Sequence, residues 1–237
     1  MELSWIISRT SRLISSRFPT IGVFDDIASN EEDLRAAFQL EQLTNGRLQP
    51  LQRLRALPEG EILTGATATI AMAAFIHCSD HGSRFNDGSL GAWYAATEIE
   101  TAIAETVYHN ERRLRASSGG FPNRIQMREL IVQFDAGFLD LRGLRAAHPE
   151  LYHPTDYSAS QAFGLQRRWP FVSDPVDGIV YDSVRRNGGT NICIFRPKAI
   201  HLPVIQGDHF DYVWDAKGRL ADVIRLTSVP IDNQTRP

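Results

Sequence analysis

The stretch GSRFNDGSLGAWYAATEIETAIAETVYH, residues 82–109, runs from loop to strand to helix without a linker. Asp80 to Gly91 reads as loop, with glycines at 82, 88 and 91. Ala92 to Ala96 is a short apolar run of strand character. Thr97 and Glu100 have capping-box spacing, and Ile99, Ala102, Ile103, Thr106 and Val107 then recur at helical intervals as a buried stripe. Glu105 falls off that stripe, on the face shared with Glu98, Ala102 and His109.

On the N-terminal side, ATATIAMAAFIHC after Gly65 predicts a helix of mostly small side chains that can lie close to a neighbouring element. Pro58-Glu59-Gly60 breaks the chain and marks the boundary between a helical extension, residues 1–60, and a main domain, residues 61–237. Within the extension, Ser29 and Glu32 have capping-box spacing. Leu34, Ala37, Phe38 and Leu40 follow at helical intervals, and Asn45-Gly46 is a stop.

On the C-terminal side, Leu130, Val132 and Phe134 alternate through a strand at Glu129 to Phe134. Tyr157 to Arg168 reads as helix. Gly178 to Tyr181 and Asn191 to Phe195 read as short strands flanking the turn at Arg185 to Gly189. Phe210, Tyr212 and Trp214 precede a hairpin turn at Asp215 to Gly218. Helices and strands interleave without regular βαβ spacing. The expected class is a compact α+β or mixed α/β domain, its sheet partly antiparallel and flanked by helices.

Composition excludes several classes. The 237 residues are 43% hydrophobic and 22% charged, with net charge −3, which is ordinary for a globular chain. The longest apolar run, Ile70 to Ile76, is far short of the ~20 residues of a membrane span. The acidic balance argues against phosphate-neutralising nucleic-acid binding. Two cysteines, Cys78 and Cys193, exclude a disulfide framework and read as buried thiols of a reducing cytoplasm. The N-terminus lacks the apolar core and cleavage site of a signal peptide. His77-Cys78 with His81 has no nearby second cysteine or carboxylate pair, so no metal is expected there, and His77 reads as a core histidine or one supporting a site. Only Lys198 and Lys217 are lysines, so 23 of the 25 basic residues are arginines; the bulk of that bias reads as compositional.

Three side chains of the opening stretch suggest chemistry. A Gly-rich loop lets backbone N–H groups and the Arg84 guanidinium approach a phosphate closely. Tyr94 on the next strand can stack on a flat ring, and Glu105 can bond ribose hydroxyls or stabilise a developing positive charge. Singly, a loop arginine is usually solvated, a strand tyrosine core, a helix glutamate surface, and Ser183 before a turn a capping residue. Jointly, SRFN, WYAA, TAIAET and GIVYDSVR before GGTN resemble the RES family, named for its Arg-Glu-Ser residues, over roughly residues 62–200.

The resemblance implies an ADP-ribosyltransferase-like fold that consumes NAD+ by breaking the nicotinamide–ribose bond, with no metal. It implies that Arg84, Tyr94, Glu105 and Ser183 take active-site positions, with Asn191 and an arginine earlier in the chain as further carry-overs. Arg84 then holds the phosphates, Tyr94 stacks on nicotinamide, Glu105 faces the ribose and oxocarbenium ion, and Ser183 gives a positioning hydrogen bond. It also implies a cytoplasmic toxin paired in a hetero-oligomer with an Xre-like antitoxin, to which any DNA binding belongs. The acceptor of ADP-ribose stays open between water, phosphate and a protein target. The rival reading is a non-catalytic interaction module that keeps the fold.

Overall fold

The computed structural model describes residues 1–18, 30–33, 35, 36 and 48–227. Seven strands make one sheet in the order β1-β2-β5-β4-β3-β6-β7, with a further pairing of β1 to β3. They are β1 (Glu2–Ser15), β2 (Trp93–Ala96), β3 (Asn123–Asp140), β4 (Gly178–Asp182), β5 (Thr190–Ile194), β6 (His201–Trp214) and β7 (Leu220–Leu226). The four α-helices named here are α1 (Leu48–Arg55), α2 (Ala68–Ile76), α3 (Ile99–Arg115) and α4 (Ser158–Leu165). All pairings are antiparallel except β3 with β4, so the expected α+β class with a mixed sheet holds.

The extra pairing closes a ring. β1 runs against β3 from Glu2↔Asp140 to Ser15↔Met127, and touches β2 through Ser11↔Ala96. β3 carries β6 and then β4 on its other edge, and β4, β5 and β2 lead back to β1. The helical reading of the first residues is therefore corrected at 2–15. Leu3, Trp5 and Ile7 alternate with Ser4, Ile6 and Ser8, and aromatic and β-branched side chains suit a pleated surface better than a helix. Asn30 caps the backbone N–H of Asp33 at 2.9 Å. Ser29, Leu34, Ala37, Phe38, Leu40, Asn45 and Gly46 lie outside the described residues.

The strand expected at 129–134 is the middle of the 18-residue β3. Its even residues Leu130, Val132, Phe134, Ala136 and Phe138 join the main core with Trp93, Val180, Ile192 and Ile194 and with Phe75 and Ile76 of α2. Its Met127 joins a second cluster, with Leu13, Ala102, Leu114, Phe210, Tyr212 and Trp214. Each of these large side chains stabilises the fold by roughly 1.5–3 kcal/mol relative to exposure. On the solvent side of β1, by contrast, Leu3, Trp5 and Ile7 are 67%, 71% and 75% exposed.

Two helices set the site. The small side chains of α2 let Gly91 dock on it: its N–H donates to the Phe75 carbonyl at 2.7 Å, and an added Cβ would lie 2.2 Å from the Ala74 oxygen. The α3 stripe is buried as expected, with Ile99, Ala102, Ile103 and Val107 on the second cluster and Thr106 Oγ1 at 2.9 Å from the Tyr212 hydroxyl. Its cap differs from expectation. Glu98 is the N-cap, without a side-chain capping bond, and its carboxylate accepts from Thr97 and Thr101 instead. The helix expected over 157–168 is the shorter α4, and the tail hairpin is β6–β7.

Candidate active site

The first helical turn of α3 is seated on the start of β5. The Thr97 N–H donates to the Thr190 carbonyl at 3.1 Å, and Thr101 is fully buried against Gly189. An added Cβ at Gly189 would lie 2.5 Å from Thr101 Oγ1, so a glycine is required for this approach. One turn further along the same face comes Glu105. Its Oε1 accepts from Ser183 Oγ at 2.7 Å and from Asn191 Nδ2 at 2.7 Å. Oε2 accepts no hydrogen bond among the described residues.

Ser183 ends β4 and opens the turn to β5. Its N–H donates to the Gly189 carbonyl, and its Oγ accepts the backbone N–H groups of Arg185 at 3.1 Å and Arg186 at 3.0 Å. Ser183 is 2% exposed. It stands behind Glu105 and does not line the cavity, whereas Asn191 and Glu105 do. The serine therefore aims the carboxylate rather than meeting a ligand.

The cavity that Glu105 faces has a volume of about 310 Å³. Its walls also include Arg84, Asn86, Tyr94, His109, Tyr157 and, from β1, Arg12. The Tyr94 hydroxyl is locked, donating to Asn86 Oδ1 at 2.9 Å and accepting the Phe85 N–H at 2.8 Å. Burial holds this phenol well above its ordinary pKa, so it stays neutral. Fixed at its tip, the ring keeps one orientation on the cavity wall.

Arg84 is 6% exposed. Its Nη1 donates to the carbonyls of Leu151 and His153, both at 3.0 Å, and the guanidinium lies 4.7 Å from the Tyr157 ring centroid. Nε and Nη2 make no hydrogen bond among the described residues. Arg12 donates to the Tyr94 carbonyl at 3.0 Å and stacks over Trp93 at 5.0 Å. Burial lowers its pKa to about 10, so it remains a cation at neutral pH. Among the described residues neither arginine has a carboxylate in ion-pair range. Two cations and one carboxylate thus face one cleft, an arrangement that favours an anionic ligand with a cationic reacting centre.

His109, one turn beyond Glu105, reaches the cavity from the solvent side. Confinement in the cleft, with Arg185, Arg84 and Arg112 nearby, lowers its pKa against the opposing pull of Glu105, so it is neutral at pH 7. His77 also lines the cavity and is exposed, not a core residue. Cys193 is a buried thiol whose pKa is pushed up to about 12 by burial, while Cys78 is only half-buried on the cavity wall.

The sequence-predicted residues divide cleanly. Arg84, Tyr94, Glu105 and Asn191 meet at the cavity, and Ser183 supports one of them. The glycines at 82, 88 and 91 do not open the loop to a ligand; added Cβ atoms there would strike the backbone of Asn86, Asp80 and Ala74. They compact the loop on itself and on α2. Sequence reasoning missed Arg12, because the strand carrying it was taken as helix; the alternation of residues 3–8 was the available signal.

Among known proteins, residues 61–215 match the family described as the RES domain. A protein of Sinorhizobium fredii (strain NBRC 101917 / NGR234), named uncharacterized protein y4oC, is 29% identical over 211 residues, 86% of this chain and 82% of that relative. A chain of the M. tuberculosis MbcT–MbcA toxin–antitoxin complex covers 95% of this chain, and 87% of itself, at 13% identity and a TM-score of 0.42. That last likeness is too loose to transfer anything to this chain.

Proposed function

Since the chain belongs to the RES family, we propose that it is an NAD+-consuming toxin that breaks the bond between nicotinamide and ribose. One observation carries the reading: the Glu105 carboxylate, fixed through Oε1 by Ser183 and Asn191, presents its second oxygen to a cleft that also holds Arg12 and Arg84.

In NAD+ the nicotinamide nitrogen is cationic, so it leaves with the bonding pair as a neutral amide. Positive charge then develops on the ribose as an oxocarbenium-like centre. A pre-oriented carboxylate beside that centre stabilises the transition state more than the ground state, because its position is set before the charge develops. Nε and Nη2 of Arg84, with Arg12, take the pyrophosphate. Tyr94, held at its hydroxyl, offers a ring face to the nicotinamide. The acceptor HX bonds to the anomeric carbon and loses its proton to solvent, giving ADP-ribose–X, nicotinamide and H+. With X from water the enzyme is a glycohydrolase, from phosphate a phosphorylase, and from a protein side chain an ADP-ribosyltransferase. The resemblance further suggests an Xre-like antitoxin as partner.

The test is the fate of adenine-labelled NAD+ with purified full-length protein, with and without phosphate and with and without cell lysate. Release of nicotinamide is expected. Labelled ADP-ribose, its phosphate, or a labelled protein band identifies the acceptor. Intact NAD+ under every condition would overturn the reading in favour of a non-catalytic interaction module.

A further inference from the structure

The loop that carries Arg84 is held from outside the family-matched span, by a residue of α1. Arg53 is 6% exposed and directs its guanidinium at carbonyl oxygens. Nη1 donates to Ile76 and Cys78, each at 3.1 Å, at the C-terminal end of α2. Nε and Nη2 both donate to Gly88, at 3.1 and 2.8 Å. Nη2 also reaches Asp80 Oδ1 at 3.1 Å, but that carboxylate is 69% exposed, so the ion pair itself contributes little. The carbonyls matter more. The last turn of α2 contains no basic residue, and Arg53 places its cation at the negative end of that helix.

The geometry pinches the loop. Ile76, Cys78 and Asp80 lie on its entry limb and Gly88 on its exit limb. The limbs touch, since an added Cβ at Gly88 would lie 2.1 Å from the Asp80 oxygen. Between them hang Arg84, whose fork is half free, and Asn86, which orients Tyr94. Glu105, Ser183 and Asn191 share no hydrogen-bond partner with Arg53.

We propose that Arg53 is a positioning residue of the site, fixing Arg84 and Asn86 for the anionic part of the ligand while leaving the Glu105 corner untouched. The inference rests on the NAD+ reading for its ligand, but not for the clamp itself. A lysine keeps the charge yet lacks the planar fork that spans four acceptors, so Arg53→Lys is the discriminating variant, with Arg53→Met as a second that removes every donor.

The measurements are KM and kcat for NAD+, the Kd of ADP-ribose, and amide hydrogen exchange, all on the full chain. Arg53→Lys is expected to raise KM and Kd about tenfold, the loss of roughly one or two net hydrogen bonds, with kcat within twofold. Faster exchange should be confined to residues 79–91, with β3, β4 and β5 still protected. Lost kcat at unchanged KM and Kd, or exchange that rises across the sheet, would make Arg53 a general structural residue and overturn the proposal. Wild-type-like exchange at 79–91 in both variants would overturn the clamp. Wild-type protein that neither consumes NAD+ nor binds ADP-ribose sinks the NAD+ reading instead, and the exchange data then decide the clamp alone.

Discussion

The two sides of the cavity are built by different means. On the carboxylate side, three side chains meet: Glu105 accepts from Ser183 and Asn191, and each is needed for its own functional group. On the arginine side, guanidinium groups grip backbone carbonyls. Arg53 holds Ile76, Cys78 and Gly88, buried Arg168 holds Gly91, and Arg84 holds Leu151 and His153. The first kind of construction is specified by residue identities at a few positions. The second is specified by the path of the chain, because every residue has a carbonyl to offer. The carboxylate side should therefore answer to small chemical changes, and the arginine side to changes in packing.

The largest effect that would separate them is on stability. Phe85 is 1% exposed and anchors the loop against Tyr181, with ring centroids 4.9 Å apart, and against Phe163. Phe85→Ala should cost about 3–5 kcal/mol in chemical denaturation. A loss below 1 kcal/mol would mean the arginine side is not a packed unit, and the contrast would collapse.

Next in size is the charge. Glu105→Gln keeps an acceptor for Ser183 and Asn191 but removes the anion. It should lower kcat by about 10²–10³ with Tm nearly unchanged. An effect on KM alone would place Glu105 in ligand binding and erase the division of labour.

Smaller again are the two donors. Ser183→Ala and Asn191→Ala each remove one bond to an ionised oxygen, worth about 1.5–3 kcal/mol, and each should lower kcat by at least tenfold. Because both bonds end on one atom, the double variant should lose less than the product of the single losses. Strict additivity would show that the donors act separately.

The smallest effect is a control on the far side of β1. Ile7→Thr, at a 75% exposed position, should change stability by less than about 0.5 kcal/mol and activity not at all.

The same contrast explains what could be read from the sequence. Arg84, Tyr94, Glu105, Ser183 and Asn191 were legible because their residue types recur in order within short segments. Arg12 was not, although alternation over Leu3, Trp5 and Ile7 is a strand signal; the serines between them blurred it. Arg53 and Arg168 had no signal at all, since their acceptors are carbonyls. The arginine excess looked compositional apart from Arg84. The structure corrects that: Arg12, Arg53, Arg145, Arg168 and Arg185 each donate to a backbone carbonyl far away in sequence, and lysine offers no planar fork for such work. The strands and α3 were visible from periodicity, whereas ring closure was not, because it depends on pairings that local pattern does not encode.

That closure has a consequence for how the molecule comes into being. Ser4 and its partner Asp140 are 136 positions apart, and the whole of β1 waits for β3. Contacts of such long range are met late, after the loop-closure entropy has been overcome by other interactions. On a ribosome β1 emerges early and stays without its partner while more than half of the chain is made. Arg12 reaches its place only after β3 exists, and Asn191 must follow still later. The cleft is thus the product of nearly complete synthesis, and no short nascent fragment can possess it.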